Sequence, residues 1–219
     1  VTRFPTLLSI ATAAAALAAC TVHREGPAEA VPPAAIPAFG GIAQWRALAT
    51  RDDRRRLSNW RKTWVKALRQ ARPHHSSEIA AEGVLLDPDA ALPDPAPPPG
   101  DYRCRTIKLG SQGGAARDYA VFPAFRCRID ASGSGTLTFL KTDGPQRPVG
   151  RIFPENSHRM IFLGTLQLGD DPGTLRYGHD KDRDLAADLE RVGPRRWRLV
   201  FPSPHYESLL DVIELVPAG

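Results

Sequence analysis

The chain has 219 residues, with 29 Lys+Arg against 24 Asp+Glu for a formal charge of +5, and 42% hydrophobic but only 7% aromatic residues. Such a mixture is globular and excludes a polytopic membrane protein and a collagen-like or coiled-coil rod. The length excludes a large multidomain enzyme and is enough for one core.

Residues 1–19, VTRFPTLLSIATAAAALAA, place Arg3 before an uncharged apolar run from Leu7 to Ala19. The run is too short to span a bilayer as a permanent helix and suits a secretory signal segment. It ends in Leu17-Ala18-Ala19-Cys20, which resembles a bacterial lipobox. That resemblance implies cleavage before Cys20 and lipidation of its sulfur. With Val22 rather than Asp at the second following position, it also implies an outer-membrane anchor facing the periplasm. The alternative is an ordinary cleaved signal with a chance Cys. Residues 20–41 are Pro/Ala-rich without periodicity and read as a tether.

Residues 42–86 read as a helical segment. Ile42, Trp45, Leu48 and Ala49 keep helical spacing, and Thr50 with Asp53 fits an N-cap and its acidic third residue. Leu57, Trp60, Trp64, Ala67, Leu68 and Ala71 then recur at three or four, with Pro73 expected to stop the helix. A further short helix is expected within 76–86. The other faces are strongly basic: Arg46, Arg51, Arg54, Arg55, Arg56, Arg61, Lys62, Lys66, Arg69 and Arg72 face only Asp52 and Asp53. Residues 87–100, DPDAALPDPAPPPG, hold six prolines and read as a semi-rigid linker.

From Asp101 the period becomes two. Tyr102, Cys104 and Thr106 alternate with Arg103 and Arg105; Tyr119, Val121, Phe125, Cys127 and Ile129 continue the pattern. Further strands are expected at Leu137–Phe139, Val149–Phe153, Arg159–Leu168, Leu175–Tyr177, Trp197–Phe201 and Leu209–Val216. Residues 184–192 are expected to form a short helix capped by Asp184. The fold class is therefore α+β: basic helices, then over 101–219 a small antiparallel eight-strand barrel or strongly curled sheet. Cys104 and Cys127 fall on the apolar face of two candidate neighbouring strands. A disulfide is the preferred reading, and two separate buried thiols are the alternative.

Chemical motifs are scarce. His179 to Asp184 sets Asp at alternate positions, but Leu185 stands where a calcium loop needs Gly, and Glu190 is one place early for the bidentate ligand. His74-His75, and His205 with Glu207 expected on one strand face, lack a third metal ligand. No HExxH, GxSxG or phosphate-cradling loop is present. No metal, cofactor or catalytic residue is therefore assigned. The basic helix face has three competing readings: a solvated surface whose Trp stripe docks on the barrel, a contact with anionic lipid or cell-wall polymer, or a contact with another envelope protein. Arg54, Arg55, Arg61, Lys62, Lys66 and Arg69 are the candidates for that contact. Nucleic acid is discounted for an exported chain.

The segments DPDAALPDPAPPPGDYRCRTIKLG, DYAVFPAFRCRI, QRPVGRIFP, MIFLGTLQLGDD, RYGHDKDRD and RRWRLVFPSPHYESLLDVIELVP resemble an alphaproteobacterial family catalogued as domain of unknown function 4893. The likeness covers about residues 42–217. It implies a lipoprotein-like envelope protein and supplies no activity, cofactor or partner. A looser likeness is to the periplasmic inhibitors of secreted metalloproteases, which are small barrels with one disulfide. The leading expectation is a non-enzymatic binding or structural role in the envelope. The rival is a small-ligand carrier or enzyme using a cavity lined by Tyr102, Tyr119, Phe125, Phe162 and Trp197. A barrel packed solid with an open basic face favours the first, and a solvent-connected cavity with convergent charged groups favours the second.

Overall fold

The computed structural model describes residues 1, 42–113, 117–133, 135–169, 171 and 176–219. The expected signal, lipidation site and tether lie outside these. Three helices, α1 (Ile42–Leu48), α2 (Arg51–Ser58) and α3 (Trp60–Glu82), lead through a 3-10 turn (Gly83–Leu86) into the strands. These are β1 (Gly100–Ser111), β2 (Tyr119–Val121), β3 (Phe125–Ala131), β4 (Leu137–Lys141), β5 (Gln146–Asn156), β6 (Arg159–Leu168), β7 (Asp184–Gly193), β8 (Arg196–Pro202) and β9 (Ser208–Pro217).

All strand pairings are antiparallel. Strands β3 to β9 pair in chain order, and β1 closes the ring by pairing with β9 from Tyr102↔Pro217 to Ser111↔Ser208. The other edge of β1 is shared: Gly100–Cys104 pair with β3, and Ile107–Leu109 with the short β2. The result is a closed eight-stranded barrel with β2 as a flap. Eight strands leave an interior just wide enough for side chains to fill. Phe139, Phe162 and Phe201 fill its middle edge to face, with centroids 5.9 and 5.8 Å apart. Tyr102, Cys104, Cys127, Ile129, Trp197 and Leu215 fill one end.

Cys104 and Cys127 form a disulfide across β1 and β3, their Cα atoms 6.1 Å apart. Replacing both by Ala is expected to cost roughly 3 kcal/mol through the lost cross-link. Urea unfolding with and without reductant measures this, and the double variant should be insensitive to reductant.

The helices wrap the outside. Trp45, Ala49 and Leu57 pack on Phe153, Ile161, Leu163 and Ala186 of β5 to β7. Trp64, Ala67, Leu68 and Ala71 pack on Ile107, Leu109, Val200, Leu210 and Val212 of β1, β8 and β9. The Trp stripe thus docks on the barrel. Gly110, at φ +66°, permits this closeness, since a Cβ there would stand 3.0 Å from the Ala67 Cα. Thr50 caps α2 by accepting the Asp53 N–H at 3.1 Å. The Asp53 carboxylate accepts from the Thr50 hydroxyl and from Tyr177 Oη.

Four expectations are corrected. α3 does not stop at Pro73 but kinks, with His75 at φ −135° and ψ 31°, and runs on to Glu82. Burial of Ile79 and the Glu82–Arg105 ion pair hold the second half in place. Residues 184–192 are strand β7, not a helix, so Asp184 caps nothing; it accepts from the Gly178 N–H. Tyr119 to Ile129 is not one strand, because residues 122–124, around Pro123, leave the ladder. Tyr177 lies in a turn, and Leu175 is outside the described residues.

The proline-rich run 87–100 is a strap bound to the barrel. Leu92 N–H donates to Arg191 O at 2.8 Å, Asp94 N–H to Ser157 O at 2.9 Å, and the Tyr102 hydroxyl to Pro98 O at 2.5 Å.

Candidate functional site

The barrel ends differ. One lies beneath the strap. The other is a mouth framed by residues 122–125 leading into β3, 144–146 at the β4–β5 turn, 182–185 leading into β7 and 204–207 before β9. It opens into a cavity of about 790 Å³ whose walls include Phe122, Phe125, Pro148, Leu166, Leu168, Leu185 and Ile213, with Phe201 toward the packed middle. The volume is in the range of small-molecule sites. The interior is therefore solid in its middle and open at this end.

Several charged groups converge on the mouth. Burial alone would lower the Lys108 pKa, but Asp211 at 3.5 Å and Glu207 at 2.8 Å raise it, so its ammonium is held charged. Burial pushes the Asp211 carboxyl up, against Lys108 and the Ser208 hydroxyl that donates to it. Arg183 is fixed by two bonds to Asp171.

Lys141 differs from these. Its ammonium sits 4.2 Å from the centroid of the Phe125 ring, on the cavity wall. Burial lowers its pKa, opposed by Asp143 and assisted by Arg147. Asp143, however, is engaged by the Arg126 backbone N–H and guanidinium. Among the described residues no carboxylate lies within ion-pair distance of Lys141.

The six candidate basic residues separate into two groups. Arg54 donates to the carbonyls of Arg46 and Ala49 at the end of α1, Arg55 pairs with Asp52, and Arg61 pairs with Asp89. Lys62, Lys66 and Arg69 project from the outer face of α3 and form no ion pair among the described residues. Of the five aromatics expected to line a cavity, only Phe125 lines the mouth. Phe162 is buried core, and Tyr102 and Trp197 pack together at the strap end. Tyr119 lies outside the barrel, stacked on His75.

No group of three potential metal ligands converges among the described residues. Asp180 and Asp182 form a turn, and Asp184 is buried under α2. His205 and Glu207 share no strand face; they lie in a loop, with Glu207 at φ +68°.

The largest buried polar assembly is structural. On the outer face of β7, the Glu190 carboxylate accepts from Arg198 at 2.9 and 2.7 Å and from Arg159 at 3.0 and 2.6 Å. Arg198 also donates to the carbonyls of Val84, Leu85 and Asp87, which ties the 3-10 turn to the barrel. Its guanidinium lies over Trp64, and that of Arg159 over Trp60.

Beside this assembly Asp188 is 2% exposed. Burial pushes its carboxyl up to about 7, Arg159 opposing and Glu190 and Glu155 reinforcing. The folded protein then keeps a proton that the unfolded chain releases near the ordinary value of about 4. This contribution to stability is full below that value and is lost as pH rises through about 7. Asp188→Asn should flatten the fall in stability between these limits, as read by denaturant midpoints across pH.

A family model described as domain of unknown function (DUF4893) matches residues 45–215. The chain belongs to that family. As a DUF4893 protein it joins an N-terminal helical segment to a closed barrel, and the match spans both, so the helices are integral to the family's domain. No curated protein and no solved structure matches the chain. No described helix is long and apolar enough to cross a membrane.

Lys141, Lys108 and Asp211 were missed as site residues by sequence reasoning. Lys108 does carry a signal, a charge at an inward position of an alternating strand. Lys141 carries the same signal more weakly, since it follows Leu137 and Phe139 on the inward face but is the last residue of β4.

Proposed function

We propose that this DUF4893 protein is a non-enzymatic binding protein of the cell envelope, tethered through a lipid on Cys20. Its barrel mouth receives a small molecule with an apolar body and an acidic group. The observation that carries this reading is the pairing of an apolar-walled cavity of about 790 Å³ with Lys141, a half-buried ammonium without an ion-pair partner among the described residues. A carboxylate entering beside Phe125 would give that cation the close ion-pair partner that no described residue provides, while the ligand's apolar body covers Leu166, Leu168 and Ile213. The other mouth cations, Lys108 and Arg183, already have acidic partners. A charge-assisted hydrogen bond in such a setting contributes roughly 1.5–3 kcal/mol.

The test uses a dansylated medium-chain carboxylic acid and its methyl ester. The protein should bind the acid about tenfold to a hundredfold more tightly, following from that contribution. Lys141→Met keeps the apolar stem over Phe125 and should erase the preference without abolishing ester binding. Equal affinity for acid and ester in the unaltered protein would falsify the reading. For the tether, Cys20→Ser should release the protein from membranes washed at high salt, whereas the lipidated chain should stay bound.

A further inference from the structure

We infer that the rim of the mouth is a docking surface for an anionic lipid bilayer. Two independent features meet there. The first is apolar: Phe122 is 43% exposed and Tyr206 is 58% exposed. Phe122 and Tyr206 approach from different loops and line the same cavity. Exposed aromatic groups around an opening mark an interaction surface, and aromatic rings partition to the headgroup level of bilayers.

The second feature is charge. Lys66 lines a cleft with Arg55, Ser111 and Gln112 on the mouth side of α3, and Pro204 and His205 belong to both this cleft and the mouth. Lys62, Lys66 and Arg69 lie at i, i+4 and i+7 on one exposed helix face. Lys66 stands beside the rim through that cleft, and Lys62 and Arg69 continue its face along the helix, so cations and aromatic rim together complement a surface that is anionic outside and apolar beneath. Each such cation near an anionic bilayer raises affinity roughly fivefold. Docked this way, the mouth would open onto the phase in which an amphipathic acid dissolves. The inference rests on the binding reading only for that purpose, since the surface contact stands on the rim and the helix face.

The experiment places an environment-sensitive fluorophore at one of two positions in the full Cys20→Ser chain. Phe122→Cys puts it on the rim, and Ala96→Cys puts it at the strap end. Vesicles are phosphatidylcholine with or without phosphatidylglycerol. The rim label should shift to the blue only with phosphatidylglycerol, and high salt should weaken the effect, while the strap label stays in water. Charge reversal by Lys62→Glu, Lys66→Glu and Arg69→Glu should raise the lipid concentration needed by about a hundredfold or more. These positions are exposed, so an unchanged far-UV circular dichroism spectrum is expected for that variant.

Equal shifts at rim and strap would overturn the inference, as would a rim shift that charge reversal leaves intact or one produced by a soluble polyanion alone. Acid binding is measured without vesicles, so the two readings fail separately. Docking lost with acid preference kept sinks this inference alone, and the reverse outcome sinks the ligand reading alone.

Discussion

Glu190→Ala should cost about 3–5 kcal/mol, more than most single changes in a domain of this size tolerate. Glu190 is fully buried, and each of its carboxylate oxygens is taken by a different guanidinium. Removing it leaves Arg198, itself fully buried, as an uncompensated charge between β8 and the 3-10 turn. Burial already lowers the Arg198 pKa, with Glu190 opposing that shift. Without Glu190 the desolvation cost is opposed only by the more distant Asp87 charge and by neutral carbonyls. The same guanidinium holds the carbonyls of Val84, Leu85 and Asp87, so its displacement should loosen the junction between α3 and the strap. Glu190→Ala combined with Arg198→Met should be less destabilised than Glu190→Ala alone, because the buried charge goes with its partner. Urea midpoints of the two singles and the double measure this. A double variant at the sum of the singles would show that the two side chains act independently.

Glu190 also shows where a sequence stops being legible. Read along the chain it is a near-miss calcium ligand in a short helix, whereas in the fold it is the centre of an Arg–Glu–Arg assembly on a strand. The apolar residues Leu185 and Leu189 are four apart, a spacing that fits a helix turn and a strand face alike. β7 is also covered on both sides: Ala187 and Leu189 face the interior, while Ala186 meets α1 and α2. Two covered faces remove the polar alternation that identifies a strand. Where one face meets solvent, as in Tyr102-Arg103-Cys104-Arg105 or Phe125 to Ile129, the period is plain and the disulfide partners fall on its apolar side. The Trp stripe of α3 was legible for the same reason, its opposite face being basic. The eight-strand barrel is one of the two sheets expected from the short alternating segments, and the structure bears it out; what decides it over a curled sheet is the β1–β9 pairing, which joins Tyr102 to Pro217 and leaves no local mark. The mouth was hidden likewise: Lys108, Lys141 and Asp211 come from three strands, and only the closed ring brings them to one cavity.

The barrel interior carries a second severe constraint, at Gly150 and Gly164. These glycines stand directly opposite each other on β5 and β6 and share the inward face with Ile152 and Phe162. A Cβ on Gly150 would stand 2.5 Å from the Gly164 Cα and 2.8 Å from the Phe162 ring, with the Leu163 carbonyl also in its way. A Cβ on Gly164 would stand 2.9 Å from the Gly150 Cα and would meet the Val149 carbonyl and the same ring. The missing side chains are therefore the space in which Phe162 lies, in edge contact with Phe139 and Phe201. Backbone atoms held in a closed ladder cannot step aside as a flexible side chain can. Gly164→Ala or Gly150→Ala should accordingly cost roughly 3 kcal/mol or more, at the upper end of overpacking effects. Gly144→Ala is the comparison, because the new Cβ would meet only the end of Lys141, at 3.4 Å. Its cost comes from a φ of +78° and should stay near 1 kcal/mol. Thermal and urea unfolding of the three variants should rank them in that order. If the interior variants proved as mild as Gly144→Ala, Phe162 could not be the ring that fills the space these glycines leave, and the packed middle of the barrel would have to be held by other side chains.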